Sequence, residues 1–512
     1  MAESATVRTV SELMSSPAAT AFADETVAVA SARMQERNVG SLVVVDGSRV
    51  IGILTERDLV RFGASGVEGT SAKVVEFMTE NPGTVGPHET AQRAFDKLSE
   101  HGYRHIPVVD DDRLVGVVSM RDLMRMVQIQ PIVHASLIEA PRGLKGVIVA
   151  ETSVGDVRGL EGFFHYRHYS AIDLAEKRTL EDVWALLFDG ELPDRAGHDA
   201  FVAELRPYRR IPDVVAEVLP AIARASATVM DGLRTAVSLL GATEGFRPTL
   251  DISHAERRDN AMQVCAVVPS LIMALYRLSN GDEPIEPRDD LAYGPNYLWM
   301  LTGEEPDPEL GRAVGQYQTT TIDHGFNVST FTARVICSTG ADVAAAVAGA
   351  LGALSGPLHG GAPSRALDLL DAIGTVDNVR PYLVDAVSRG EKIMGFGHAV
   401  YRTDDPRSIF LRGVAERLGA DKIDFARQVE KTVVEVLNEL KPGRDLYANV
   451  EFYAGVVMEH CGLPRSLFTP TFASSRVIGW CANILEQAAD NRIIRPSARY
   501  VGAPPPVPVP TA

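Results

Sequence analysis

The chain has 512 residues, 46% of them hydrophobic and 23% charged, an ordinary globular composition at a length that calls for more than one domain. Fifty lysines and arginines against 67 aspartates and glutamates leave a formal charge of -17, which argues against nucleic acid and against an anionic membrane as partners. Anionic ligands must then be held by basic side chains gathered locally.

Residues 1–127 contain an internal repeat. Glu12, Met14, Glu25, Thr26, Val44, Asp46, Gly52, Arg57 and Asp58 recur 64 positions later as Glu76, Met78, Glu89, Thr90, Val108, Asp110, Gly116, Arg121 and Asp122, with no gap. Each copy reads as a helix (26–38; 90–101), a buried strand (41–45; 106–109), a tight turn at 46–47 or 110–112, a second strand and a closing helix from Arg-Asp-Leu. Each second strand ends in a hydroxyl residue with an aspartate three positions on: Thr55 and Asp58, then Ser119 and Asp122. Such a hydroxyl can donate to a phosphate, and the carboxylate can accept from the two hydroxyls of a ribose. The same pair is also what a plain helix cap needs. The openings LMSS and FMTEN, with RVIGILTERDLVR and RLVGVVSMRDLMR, resemble a pair of CBS domains (the cystathionine β-synthase module), spanning 7–63 and 71–127. The resemblance implies an adenine nucleotide at Thr55, Asp58, Ser119 and Asp122.

Residues 128–142, with Pro131 and Pro141, read as a linker. Beyond it apolar residues recur at helical spacing almost everywhere, so the remainder should be mostly helical. The alanine- and glycine-rich run at 341–356 reads as a tightly packed helix leading to His359 rather than a membrane span. Cys265, Cys337, Cys461 and Cys481 show no metal-binding spacing and are expected to be free thiols in a reducing compartment. No signal peptide is read at MAESATVRTV, so a cytoplasmic location is expected. The proline-rich 504–512 should be an extended tail.

Two histidines in glycine-rich turns and an acid downstream of both carry the chemistry: GPLHGG around His359, GFGHAVYRTDDPR around His398 and NVEFYAG around Glu451. Making a nucleophile from an acyl thioester takes a base for the proton beside the carbonyl and a donor for the enolate oxygen, roles suited to a carboxylate and a neutral imidazole. Glu451 and His359 can fill them. A ketone acceptor needs a second donor, for which His398 is available. Carboxylates on that ketone are best met by planar guanidinium groups, and Arg407, Arg476 and Arg495 lie in the same stretch. Glycines 356, 360, 361, 395 and 397 let backbone approach a ligand closely, which favours a phosphate- or oxyanion-bearing one. A lone histidine beside glycines is more often a packed loop residue, and a lone arginine a solvated charge. The weight rests on the combination.

The order GPLHGG, GFGHAVYRTDDPR, NV(acid)FY, LFTPTFASSRVIGWCANILEQ and NRIIRPSARYVG resembles the citrate synthase family. The likeness reaches upstream to GLKGVIVAETSVGDVRGLEGFFHYRHY and IDHGFNVSTFTARV, and so covers residues 140–503. The expected fold is multidomain: an α/β CBS tandem, then a mainly α-helical two-domain citrate synthase fold at 143–503 with a small subdomain at 361–460. By resemblance, His359 stabilises the thioester enolate, His398 polarises the ketone of oxaloacetate, and His324 binds oxaloacetate. Arg407 and Arg476 hold its carboxylates, Arg495 is delivered across a dimer, and Gly395, Phe396, Gly397 and Arg402 contact coenzyme A. A trans-acting arginine implies a homodimer or higher homo-oligomer. No metal or resident cofactor is implied.

One position departs from the family. Its base is ordinarily aspartate, and Glu451 adds a methylene; a displacement of about 1 Å can cost on the order of 100-fold in rate. Both histidines and all three arginines stand in place, so Glu451 reads as a working base in a variant site. The expected reaction condenses acetyl-CoA with oxaloacetate to citrate and coenzyme A, regulated by adenine nucleotide at the CBS pair. A 2-methylcitrate synthase using propionyl-CoA stays open, because one methylene in an apolar pocket is worth only about 1–3 kcal/mol. A catalytically weak nucleotide sensor is the other alternative.

Overall fold

In a computed structural model the described residues are 9–37, 39–65, 70–101, 103–120, 122–123, 140–357, 359–360, 363–391, 393–398, 400–401, 403–440 and 446–502. The chain divides into two compact units, Met1–Ala140 and Pro141–Ala512.

The first unit is built from the repeat. Helix Val27–Arg37 buries Val27, Ala30 and Met34 on one face, and helix Ala91–His101 buries Ala91, Ala94 and Leu98. The hairpins Ser41–Asp46/Arg49–Thr55 and His105–Asp110/Arg113–Ser119 share one register, including a bulge after Val44 and after Val108. The strands run slightly longer than expected because the turns are tight. Gly47 takes a positive φ of 63° in one copy, and Asp111 and Asp112 take 44° and 62° in the other.

The copies exchange their openings. Strand Thr79–Glu80, from the start of the second copy, pairs antiparallel with Arg49–Thr55 of the first, while Ser15 of the first copy bridges Val117 of the second. Val10 accordingly packs in the core with Ile106, Val108 and Val118, and Val74 packs with Leu42, Val44 and Leu54. This explains two of the repeated residues: a Cβ at Gly116 would strike Met14, and one at Gly52 would strike Met78. The linker at 128–142 falls mostly outside the described residues, as does the tail at 504–512.

The second unit is mostly helical, as expected, with one short sheet added. It opens with a three-stranded antiparallel sheet, Gly155–Arg158, Phe163–Tyr166 and Tyr169–Ser170. Alternate burial of Phe164 and Tyr166 on the central strand is the period-two pattern of a half-buried sheet, and Gly162, at φ 61°, closes the turn. At the core lies helix His254–Ser279, opened by a Ser253/Glu256 capping box and buried from Ala261 to Leu275. Among the described residues it alone is long and apolar enough to cross a membrane, but most of it is covered by protein, with helices Val229–Thr243 and Phe468–Ala489 packed against it. Helix Val343–Leu354 does lead to His359, and all four cysteines are buried and unpaired.

Candidate active site

Five segments contribute to the site: the turn before helix Val328–Ser338, the glycine turn at His359, the loop leading into helix Pro406–Leu418, the start of helix Val450–His460 and the first half of helix Phe468–Ala489.

His398 is fixed by its own loop. Its Nδ1 accepts N–H bonds from Val400 at 3.0 Å and Tyr401 at 3.1 Å, so the ring proton belongs on Nε2. That nitrogen lies 3.4 Å from Nη2 of Arg407. Both are donors, so a single ligand oxygen placed beside them accepts from both. His324 stands against the same group, its ring centroid 5.4 Å from that of His398 and its Nε2 3.0 Å from the Tyr401 hydroxyl. Burial, with Arg407, His398 and Arg476 nearby, holds His324 well below the usual imidazole range, so it is neutral. Phe164 of the new sheet backs the cluster, 5.6 Å from the His324 ring and 6.0 Å from the Arg407 guanidinium carbon.

The two inner arginines differ in how they are neutralised. Arg407, 3% exposed, is forked onto Asp405 through Nε at 3.0 Å and Nη2 at 2.7 Å. Arg476, 2% exposed, donates its Nε to the Thr321 carbonyl at 2.7 Å and lies over the Phe472 ring. Among the described residues no carboxylate comes within ion-pair distance of it. Burial lowers it to about 10, partly opposed by Asp323, so it stays charged near neutrality. A buried cation without a contacting anion is costly unless a ligand supplies one.

His359 is also neutral. Burial and the field of Arg476 lower it to about 4. Its Nε2 lies 2.8 Å from the Ser329 hydroxyl, which accepts from Trp480 Nε1 and lies 2.7 Å from Asn327 Oδ1. Ser329 has one proton to give, to Asn327 or to His359. Given to His359, it places the ring proton on Nδ1, the nitrogen left for a ligand.

Glu451 sits in the first turn of its helix, capped by Asn449. Burial pushes its carboxyl up to about 7; Arg407 opposes the shift and Asp405 adds to it. A general base poised there is half ionised at neutral pH.

Among the remaining expected residues, Gly395 and Gly397 take positive φ of 83° and 85°, values that favour glycine, and Phe396 bridges Ala448. Arg402 lies outside the described residues. Arg495 is exposed in 490–502, and among the described residues no bond joins it to the histidine cluster. In the first unit, Thr55 and Asp58 line a cavity of about 160 Å³ with Arg57, Arg104 and His105. Asp58 Oδ2 accepts from the Thr55 hydroxyl at 2.7 Å and Oδ1 from Arg61 at 3.0 Å, and Asp122 Oδ2 takes the Ser119 hydroxyl at 2.5 Å. Both pairs therefore act as helix caps. The sequence reading missed Tyr401, Ser329, Asp405, Asn449 and Phe164, whose residue types are common in caps and cores and carry no signal alone.

Known proteins share the sequence and fold of the second unit. Residues 143–497 match the family described as citrate synthase, C-terminal domain, and 10–65 and 74–129 each match the CBS domain. The chain is 38% identical over 365 residues to the citrate synthase of Synechocystis sp., covering 70% of this chain and 90% of that protein. It is 37% identical over 367 residues to that of Deinococcus radiodurans, covering 71% and 96%. Among solved structures, the citrate synthase of Thermotoga maritima superposes with a TM-score of 0.64 at 34% identity, covering 72% of this chain and 98% of that one. That of Thermoplasma acidophilum, in a ternary complex with carboxymethyl coenzyme A and oxaloacetate, gives 0.67 at 28% identity, covering 73% and 98%. With its histidines, arginines and acid set in that family's fold, the chain belongs to the citrate synthase family, an enzyme of the acyltransferase type preceded by a tandem CBS pair.

Proposed function

We propose that this enzyme condenses acetyl-CoA with oxaloacetate to give citrate and coenzyme A. The observation that carries the reading is the proximity of His398 Nε2 to Arg407 Nη2, with the buried Arg476 acting on the same group of histidines and a carboxyl held near 7 beside Arg407. Oxaloacetate brings two carboxylates and a ketone, which is what those donors fit.

Glu451 takes the proton from the thioester's α-carbon, and the enolate oxygen accepts from His359 Nδ1–H, with the Ser329 hydroxyl turned from Asn327 Oδ1 to donate a hydrogen bond to Nε2. Both histidines near the reacting atoms are required neutral, and His359 is. The enolate carbon then attacks the ketone carbon, whose oxygen takes the proton from His398 Nε2. Hydrolysis of the resulting thioester releases citrate and coenzyme A. Arg407, Arg476 and His324 hold the oxaloacetate; Gly395, Phe396, Gly397 and Arg402 are assigned to coenzyme A, and Arg495 to the oxaloacetate of a second subunit. Thiol release by the purified protein tests this, with oxaloacetate present or absent and acetyl-CoA or propionyl-CoA as donor. A higher specificity constant for propionyl-CoA would reassign the enzyme to the 2-methylcitrate reaction. Mixing Arg495→Ala with His359→Ala protein tests the crossover, which predicts recovered activity in mixed dimers.

For the CBS pair we propose an adenine nucleotide effector. Its support is the placement of Thr55 and Asp58 in a cavity that also presents Arg57 and Arg104, side chains suited to phosphate. A full-length Asp58→Ala, Asp122→Ala variant should lose the nucleotide response at saturating acetyl-CoA. An unchanged response would remove the effector from the pair.

A further inference from the structure

The loop that carries His398 and leads into the Arg407 helix is tied at both ends to the start of the helix that carries Glu451. At the near end, Gly397 N donates to the Tyr447 carbonyl at 2.8 Å and Asn449 N to the Gly395 carbonyl at 2.9 Å. The Asn449 side chain works in two directions: Nδ2 donates to the Gly397 carbonyl at 3.0 Å, while Oδ1 accepts from Glu451 N at 3.1 Å. At the far end, Asp405 caps the Arg407 helix, accepting from Arg407 N at 3.0 Å, and forks onto its guanidinium. The same carboxylate, through Oδ2, accepts from Val450 N at 3.1 Å.

The N–H groups of Val450 and Glu451 are first-turn donors that no intrahelical carbonyl can satisfy. Water or any capping side chain would serve for stability alone. Here both go to side chains that also bind the 395–407 loop. Asp405 is 1% exposed, and a buried ion pair is weak as a source of stability, since a well-packed apolar pair often does as well. What the pair does supply is a fixed orientation for the Arg407 fork relative to Glu451.

We propose that Asn449 and Asp405 are positioning residues that lock the ketone-polarising histidine, the carboxylate-binding arginine and the base into one rigid block. This rests on the acyl-transfer reading above. Asn449→Asp isolates the tie: it keeps an acceptor for Glu451 N but puts an oxygen opposite the Gly397 carbonyl. Its kcat, measured on the alkaline plateau of the pH profile, should fall by about 10- to 100-fold, as expected for a misplacement near 1 Å, while thermal stability stays close to the parent. Asp405→Asn should raise the KM for oxaloacetate. It should also move the acid limb of the kcat/KM profile to lower pH, because the groups facing Glu451 are Arg407, Asp405 and Tyr317, and removing the one anion among them favours the ionised base. The rise in KM at unchanged thermal stability is the readout that a merely structural role would not give.

An Asn449→Asp kcat within twofold of an active parent, or an unchanged KM for oxaloacetate in folded Asp405→Asn, would overturn the clamp alone. Should Asp405→Asn not fold, Asn449→Asp decides. A parent with no turnover from either thioester would overturn the acyl-transfer reading, and the clamp with it.

Discussion

The two units use their polar side chains in opposite ways. In the CBS pair the polar signature residues are consumed by one another: Asp58 and Asp122 close on Thr55 and Ser119 as caps. In the synthase unit, neutral imidazoles, a buried arginine with no contacting carboxylate among the described residues and a carboxyl near 7 lie within one another's electrostatic reach. Groups held away from their preferred ionisation, with donors directed at a common point, mark where chemistry is done. Self-satisfied groups mark where structure is held or a ligand must displace an existing bond.

Breaking one of the synthase-unit groups should affect turnover, and disturbing the CBS pair should leave turnover without nucleotide in place. Short of removing the base itself, the largest effect is expected for His359→Ala, which removes the proposed donor to the enolate oxygen; kcat should drop on the order of 100- to 1000-fold, measured by thiol release. Glu451→Asp should follow with a loss on the order of 100-fold, since the site is set around the longer side chain. An aspartate variant faster than the parent would show that it is not.

The pH profile sharpens the comparison further. Glu451 must be ionised to act, and its carboxyl is raised to about 7, so kcat/KM should fall about tenfold per unit as pH drops below 7. The stability consequence runs the other way. A carboxyl whose folded value is raised favours the folded state fully below its unfolded value of 4.5 and loses that contribution as pH rises through 7. Glu451→Gln, which cannot ionise, should therefore melt a few degrees above the parent above pH 7 and match it below pH 4.5, as read by thermal unfolding. The smallest effect on turnover belongs to Gly52→Ala. Its Cβ meets the flexible Met78 side chain, so the first unit should lose about 1–3 kcal/mol while thiol release without nucleotide stays within twofold.

Much of this was legible in the sequence, for identifiable reasons. A gapless repeat fixes two equivalent units, and His359, His398 and Arg407 stand out as reactive side chains set in glycine or cap motifs. What was not legible depends on which partner a common residue chooses. The recurrence of Met14 and Gly52 as Met78 and Gly116 showed equivalence, yet not that each opening packs on the other copy's strand. Asp405 and Asn449 look like ordinary caps, and only the choice of Val450 N, Glu451 N and Gly397 O as partners gives them a role. The sheet at Gly155–Ser170 was masked by strong helical periodicity downstream, although the alternation around Phe164 and Tyr166 was its signal.

The central claim is that Glu451 is the working base of an active condensing enzyme. The most direct test is thiol release from acetyl-CoA in the presence of oxaloacetate by the full-length protein, beside Glu451→Gln, which keeps the shape and removes the base. The account predicts oxaloacetate-dependent release by the parent and a loss of at least about 1000-fold in the variant. An inactive parent that still binds oxaloacetate, or a glutamine variant that turns over as fast as the parent, would contradict it.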